Sequence, residues 1–143
     1  MKVWQTAFGV ALGLVLVPGL RAEVPALQAR LDCEPALRPG RILCRLSMTA
    51  RAGRLVWGDG LVTRAPAFAS PLRSRCVAPV GAAGAGTAEA KLALVASEPG
   101  EGTLEMLARG VVCRDRAAGE WCAPETLRVN ARVVVGAGGP PAR

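Results

Sequence analysis

The 143-residue chain contains no histidine and no tyrosine. Without histidine there is no Ser-His-Asp or Cys-His triad and no histidine metal site. Its five cysteines show nothing like paired C-x-x-C knuckles, so no metal is expected. The glycine-rich "GAAGAG" at Gly81–Gly86 lacks the Lys-Ser/Thr pair of a phosphate loop and reads as a flexible connection. No motif asks for a cofactor. Aromatic residues are scarce as well: past the N-terminal segment only Trp57, Phe68 and Trp121 remain. Binding of single-stranded nucleic acid uses stacking aromatics interleaved with basic residues, and here the arginines are scattered. The formal charge of +7 therefore reads as a solvated arginine-rich surface, and no nucleic-acid partner is expected. An ordinary hydrolase is hard to build from this set. Thiol chemistry is what remains.

Long apolar runs are missing too, with one short exception. "MKVWQTAFGVALGLVLVPGLRA" opens with Lys2, carries an apolar run from Ala7 to Val17, breaks at Pro18-Gly19 and offers Ala22 as a small residue for cleavage. The run is too short for a membrane span of about 20 residues. The pattern is that of a secretory signal peptide over residues 1–22, with a retained membrane anchor or cleavage after Gly19 as weaker alternatives. Loss of Lys2 and Arg21 lowers the charge to +5 and leaves 121 residues, enough for one domain with its own core. No stable membrane anchor is expected after cleavage. The abundance of Ala, Arg and Gly suggests a GC-rich bacterial genome. Location in a periplasm or outside the cell follows, where disulfides persist.

Period-two alternation marks the mature chain. "LQARLDC" (27–33), "ILCRLSM" (42–48), "EAKLALVA" (89–96) and "LRVNARVVV" (127–135) each place apolar residues on one face. Further strands are expected at Arg54–Trp57, Leu61–Thr63, near Leu72–Val77, and at Thr103–Cys113. Turn signals separate them: "RPGR" (38–41), "WGDG" (57–60) and "EPGEG" (98–102). About seven short strands predict an all-β, immunoglobulin-like antiparallel β-sandwich over residues 23–136, with a small barrel as the alternative. Residues 137–143, "AGGPPAR", are expected to form a disordered tail. Asp59 reads as a turn aspartate rather than a catalytic acid, and Trp57 as a core tryptophan rather than a ligand contact.

The cysteines fall into two local pairs and one remainder. Cys33 and Cys44 sit on the apolar faces of their strands and predict a structural disulfide, a second redox pair being the alternative. Cys76 is left over as a free thiol, so the protein is expected to be a monomer or a Cys76-linked dimer. Cys113 and Cys122 flank a polar stretch, "CRDRAAGEWC", expected to form a surface loop. Arg114 and Arg116 are candidates to stabilise a thiolate at Cys113, and Trp121 to shield the sulfurs or dock a partner.

The segment "GTLEMLARGVVCRDRAAGEWCAPETLRV" resembles the C-terminal part of the periplasmic N-terminal domain of the thiol:disulfide interchange protein DsbD and of related disulfide-corrector domains. The resemblance covers roughly the last 30 residues and rests on a strand running into a cysteine, a short polar loop, a second cysteine, and Pro124-Glu125-Thr126 behind it. It implies an immunoglobulin-like sandwich in which Cys113 and Cys122 form the redox pair. It also implies thioredoxin-like redox partners among periplasmic or secreted proteins. The loop here is longer than is usual in that family, and Ala123 stands where a tyrosine is typical. The expected function is thiol–disulfide exchange through Cys113 and Cys122; the alternative is a structural or partner-binding sandwich with two inert bridges.

Overall fold

A computed structural model describes residues 24–81 and 86–138. The expected signal peptide, most of the Gly81–Gly86 loop and residues 139–143 lie outside the described residues. Among the described residues eight strands follow in order: β1 (Leu27–Cys33), β2 (Gly40–Ala50), β3 (Arg54–Arg64), β4 (Ala69–Pro71), β5 (Arg75–Val77), β6 (Thr87–Ala96), β7 (Gly100–Arg116) and β8 (Gly119–Val135). They form two four-stranded antiparallel sheets, ordered β1-β2-β6-β4 and β5-β3-β7-β8. This is the immunoglobulin-like arrangement A-B-E-D against G-F-C, with β5 added beyond β3. The pieces expected at Arg54–Trp57 and Leu61–Thr63 join into the single strand β3, the piece expected near Leu72–Val77 is β5, and the short strand β4 just before it was not expected; β4 and β5 join different sheets.

The alternation in the sequence becomes the inside and outside of the sandwich. On β2, Ile42, Cys44, Leu46 and Met48 are buried; on β6, Ala88, Ala90, Leu92, Leu94 and Ala96. The facing sheet contributes Leu55, Leu104, Met106, Ala108, Val112, Ala131, Val133 and Val135. Burying each of the larger side chains contributes about 1.5–3 kcal/mol relative to leaving it in water. Interleaved charged residues stay outside and pair across strands, as Arg132 does with Glu101 at 2.6 Å.

The expected turn at "WGDG" is not a turn: Trp57–Gly60 lie in the middle of the continuous strand β3. Gly58 and Gly60 face the core, where a side chain would collide. A Cβ on Gly60 would stand 2.6 Å from Leu46 Cδ2 and 2.8 Å from Met106 Cε. The glycines leave room for long side chains; they do not bend the chain. The polar "loop" between Cys113 and Cys122 is likewise mostly strand. β7 runs on to Arg116 and β8 starts at Gly119 (φ 114°), leaving a turn at Ala117-Ala118. Pro124 is tolerated within β8 because β8 is an edge strand. At the C-terminal end, Gly138 N–H donates to the Leu37 carbonyl at 2.9 Å, so residues 137–138 stay attached to the domain rather than starting a free tail.

Two disulfides are present, Cys33–Cys44 and Cys113–Cys122, and Cys76 is the free cysteine. Each bridge joins neighbouring strands of one sheet, and neither crosses between sheets. Both are compatible with a periplasmic or extracellular location.

Candidate functional site

The β7–β8 hairpin sets the frame. Cys113 stands directly opposite Cys122, with a Cα–Cα distance of 4.0 Å. Alternation along β7 puts Leu104, Met106, Ala108, Gly110 and Val112 toward the core, so Cys113 projects from the other face. On β8, Ala131, Val133 and Val135 point inward and Cys122 outward. The bridge therefore lies on the solvent face of its sheet. Cys122 is exposed, whereas Cys113 is covered, at 4%. The Cys33–Cys44 bridge has the same 4.0 Å spacing but turns inward: Cys44 is 2% exposed, and both cysteines pack on the core. Local backbone spacing does not distinguish the two bridges. Their surroundings do.

Two charged groups flank the outer bridge. Arg54 is the cross-strand neighbour of Cys113 on β3, and its Nη2 contacts Glu120 Oε2 at 2.5 Å. Glu120 lies two residues before Cys122, its Oε1 3.9 Å from Cys122 Sγ. Gly53 (φ 89°) carries the chain into β3 hard against Cys113; a Cβ there would meet the Cys113 carbonyl. The turn that delivers Arg54 to the site thus requires glycine.

The residues expected to tune or shield the sulfurs stand elsewhere. Arg114 pairs with Trp121, and both lie on the opposite face of the hairpin from the bridge. Arg116 stacks its guanidinium over the Trp121 ring at 4.3 Å. Arg114, Arg116 and Trp121 line a shallow pocket with Val24, Pro25 and Glu125. There Glu125 accepts hydrogen bonds from the backbone N–H groups of Ala26 (3.0 Å) and Leu27 (2.7 Å), fastening the start of β1 to β8. The cation paired opposite Cys113 on the neighbouring strand is Arg54, which lies 59 positions earlier in the sequence.

Below the bridge the same outer face continues in rows. Val111 pairs with Pro124 on one side and Trp57 on the other. Trp57 is 39% exposed rather than core, because the irregularity between Leu55 and Trp57 turns both Val56 and Trp57 outward. In the next row Asp59 is fully buried, at 0%, although it lies on the outer face. Arg109 donates from Nε (2.7 Å) and Nη2 (2.5 Å), and Arg75 from Nε (2.6 Å), to its two oxygens. Burial alone would raise the Asp59 pKa; the hydrogen bonds from Arg109 and Arg75 outweigh it and hold the carboxyl below its ordinary value. Cys76 faces inward on β5, its Sγ donating to the Gly60 carbonyl at 3.7 Å. Burial, with the nearby Asp59 charge, pushes its thiol pKa up.

Sequence reasoning missed Arg54 and Glu120, took Asp59 for a turn residue, and met Glu125 only as part of the Pro124-Glu125-Thr126 exit from the hairpin. The bulge-shifted register that brings β3 beside Cys113 is a property of tertiary pairing, and no local spacing signals it. Compared with known proteins, the chain matches no family model and no curated protein.

Proposed function

We propose that this protein is a thiol–disulfide exchange module whose working pair is Cys113–Cys122, acting on other proteins in an oxidising, extracytoplasmic compartment. The observation that carries the proposal is the contrast between the bridges: one packs on the core, the other lies on the solvent face with Cys122 exposed. Their sequence separations are 11 and 9, so chain entropy stabilises each by about 3 kcal/mol and does not separate them. Access does. A partner thiolate attacks Cys122 Sγ along the S–S axis, and Cys113 leaves as the thiolate. Arg54 is the charge placed to stabilise that leaving group. The partner's second thiolate then attacks its own sulfur in the mixed disulfide and releases Cys122. The partner dithiol becomes a disulfide, and two electrons and two protons reach the pair. The reverse sequence oxidises this protein and reduces the partner.

The resemblance to the DsbD N-terminal domain supports the same pair and implies thioredoxin-like partners. The alternative, a structural or partner-binding sandwich with inert bridges, draws support from the burial of Cys113. Equilibration in glutathione buffers, with each pair mapped by mass spectrometry, distinguishes them. Exchange-active pairs fall at roughly −120 to −270 mV, and structural bridges below about −300 mV. The expected result is Cys113–Cys122 in the first range and Cys33–Cys44 in the second. Equal resistance of both bridges, with Cys113→Ser/Cys122→Ser lowering only the melting temperature, would assign a staple.

A further inference from the structure

We propose that the reduced Cys113–Cys122 pair, together with Glu120, is a binding site for a thiophilic divalent cation, with Zn2+ as the ion it fits. The inference deepens the exchange assignment and rests on the pair being one that opens.

Cys113 Sγ, Cys122 Sγ and a Glu120 carboxylate oxygen all lie within 4.8 Å of one another. The pairing explains why. Cys113 and Cys122 face each other across the hairpin, and Glu120, two residues before Cys122, projects from the same side. Tetrahedral zinc with Zn–S bonds of about 2.3 Å separates two thiolates by roughly 3.7 Å. Side-chain rotation spans that distance between residues whose Cα atoms are 4.0 Å apart, with no need to move the strands. Glu120 is already at hand, its Oε1 3.9 Å from Cys122 Sγ. Cys122 and Glu120 are both exposed, which leaves a fourth position open to water.

The chemistry of the donors selects the ion. Two thiolates disfavour Ca2+ and Mg2+, which take oxygen ligands, and suit Zn2+. Charge balances as well. The two thiolates and one carboxylate are matched by Zn2+ and the Arg54 guanidinium, which contacts Glu120 at 2.5 Å. In the oxidised protein both sulfurs are committed to each other and cannot ligate. Reduction by a protein dithiol delivers two electrons and two protons to the pair. Zn2+ then displaces the two thiol protons without changing its own oxidation state. The disulfide thereby acts as a redox gate on metal binding, and bound Zn2+ withholds the thiols from reoxidation.

The test uses the full mature chain carrying Cys76→Ser, oxidised or reduced by a phosphine that is then removed, under conditions in which peptide mapping shows Cys33–Cys44 still closed. Zn2+ is titrated in competition with a chromophoric chelator, and Co2+ serves as a spectroscopic probe of thiolate ligation. The expected result is one ion per reduced chain with thiolate-to-cobalt charge transfer. Affinity should fall about tenfold or more in Glu120→Gln, and no binding should occur in the oxidised chain or in Cys113→Ser. Protection of Cys113 and Cys122 from alkylation by Zn2+ gives the same answer without Cys113→Ser, should that variant fail to fold. Binding by the oxidised chain, retention in Cys113→Ser, or absence of zinc protection would overturn the proposal. Phosphine opens the pair whatever its potential. A pair that binds Zn2+ once reduced yet resists glutathione therefore fails the exchange assignment alone, whereas one that exchanges but ignores Zn2+ fails this one alone.

Discussion

Replacing Asp59 by Asn keeps the side chain's shape and removes its charge, at a position where three N–H groups of Arg109 and Arg75 converge on two carboxylate oxygens. The amide oxygen can take the place of only one of them. Its NH2 group then faces a guanidinium N–H and is left buried without an acceptor, a loss of about 1–3 kcal/mol. The bonds that survive lose their charge assistance, on the order of 0.5–1 kcal/mol each. The arginines keep 37% and 55% of their side-chain surface and regain water, which holds the total under the 3–5 kcal/mol of a fully buried broken pair. The expected loss is about 2–4 kcal/mol, or roughly 10 °C in Tm. Urea unfolding across pH checks it. The folded Asp59 pKa lies below its ordinary 3.8, so its contribution is fully present above that value and is lost as pH falls through the folded pKa. The gap between wild type and Asp59→Asn should therefore be constant near neutrality and shrink below about pH 4. A variant within 0.5 kcal/mol of wild type at pH 7, or a gap indifferent to acid, would refute the reasoning.

Other expectations follow from single contacts. Glu125→Ala removes the acceptor of two backbone N–H groups at buried Ala26 and Leu27; it should cost about 2–3 kcal/mol and speed hydrogen exchange at the start of β1, measured amide by amide. Gly60→Ala would press at once on Leu46, Met106 and Cys76, and chemical denaturation should show a loss of about 1–3 kcal/mol. Cys76 should react slowly with alkylating agents at neutral pH, because burial keeps its thiol protonated, and should quicken in urea. Export should leave a chain beginning at Glu23, read from the intact mass of the periplasmic protein.

Strand positions were legible because alternation is a local property. The face of β1 could be read from Leu27, Leu31 and Cys33, and both disulfide pairings from cysteines close in sequence. Glycine proved ambiguous. In "WGDG" it signals a turn to any local reading, yet Gly58 and Gly60 serve side chains arriving from the other sheet and from β7. Asp59 was misjudged for the same reason, since its partners Arg75 and Arg109 are 16 and 50 residues away. At the site, the sequence placed Arg114 and Arg116 beside Cys113 by adjacency. In a strand, adjacency means opposite faces, so the charged neighbours of the bridge come from two positions along, Glu120, and from another strand, Arg54.

Both bridges close their hairpins near the turn: β1 and β2 are open at Leu27 and locked at Cys33, while β7 and β8 are open at Val135 and locked at Cys122. Under tension applied at the two ends of the domain, each hairpin unzips from its open end and stops at sulfur. The chain enclosed by the two bridges, roughly 65–70 Å of contour if drawn out straight, is never released. When the load is removed, each hairpin still holds its register at the closed end and re-zips from there. No disulfide joins the two sheets; the force that parts them is resisted by side-chain packing and by the few hydrogen bonds that tie Ala26 and Leu27 to Glu125 and Ala36 to Val134, so mechanical failure of this domain begins between the sheets.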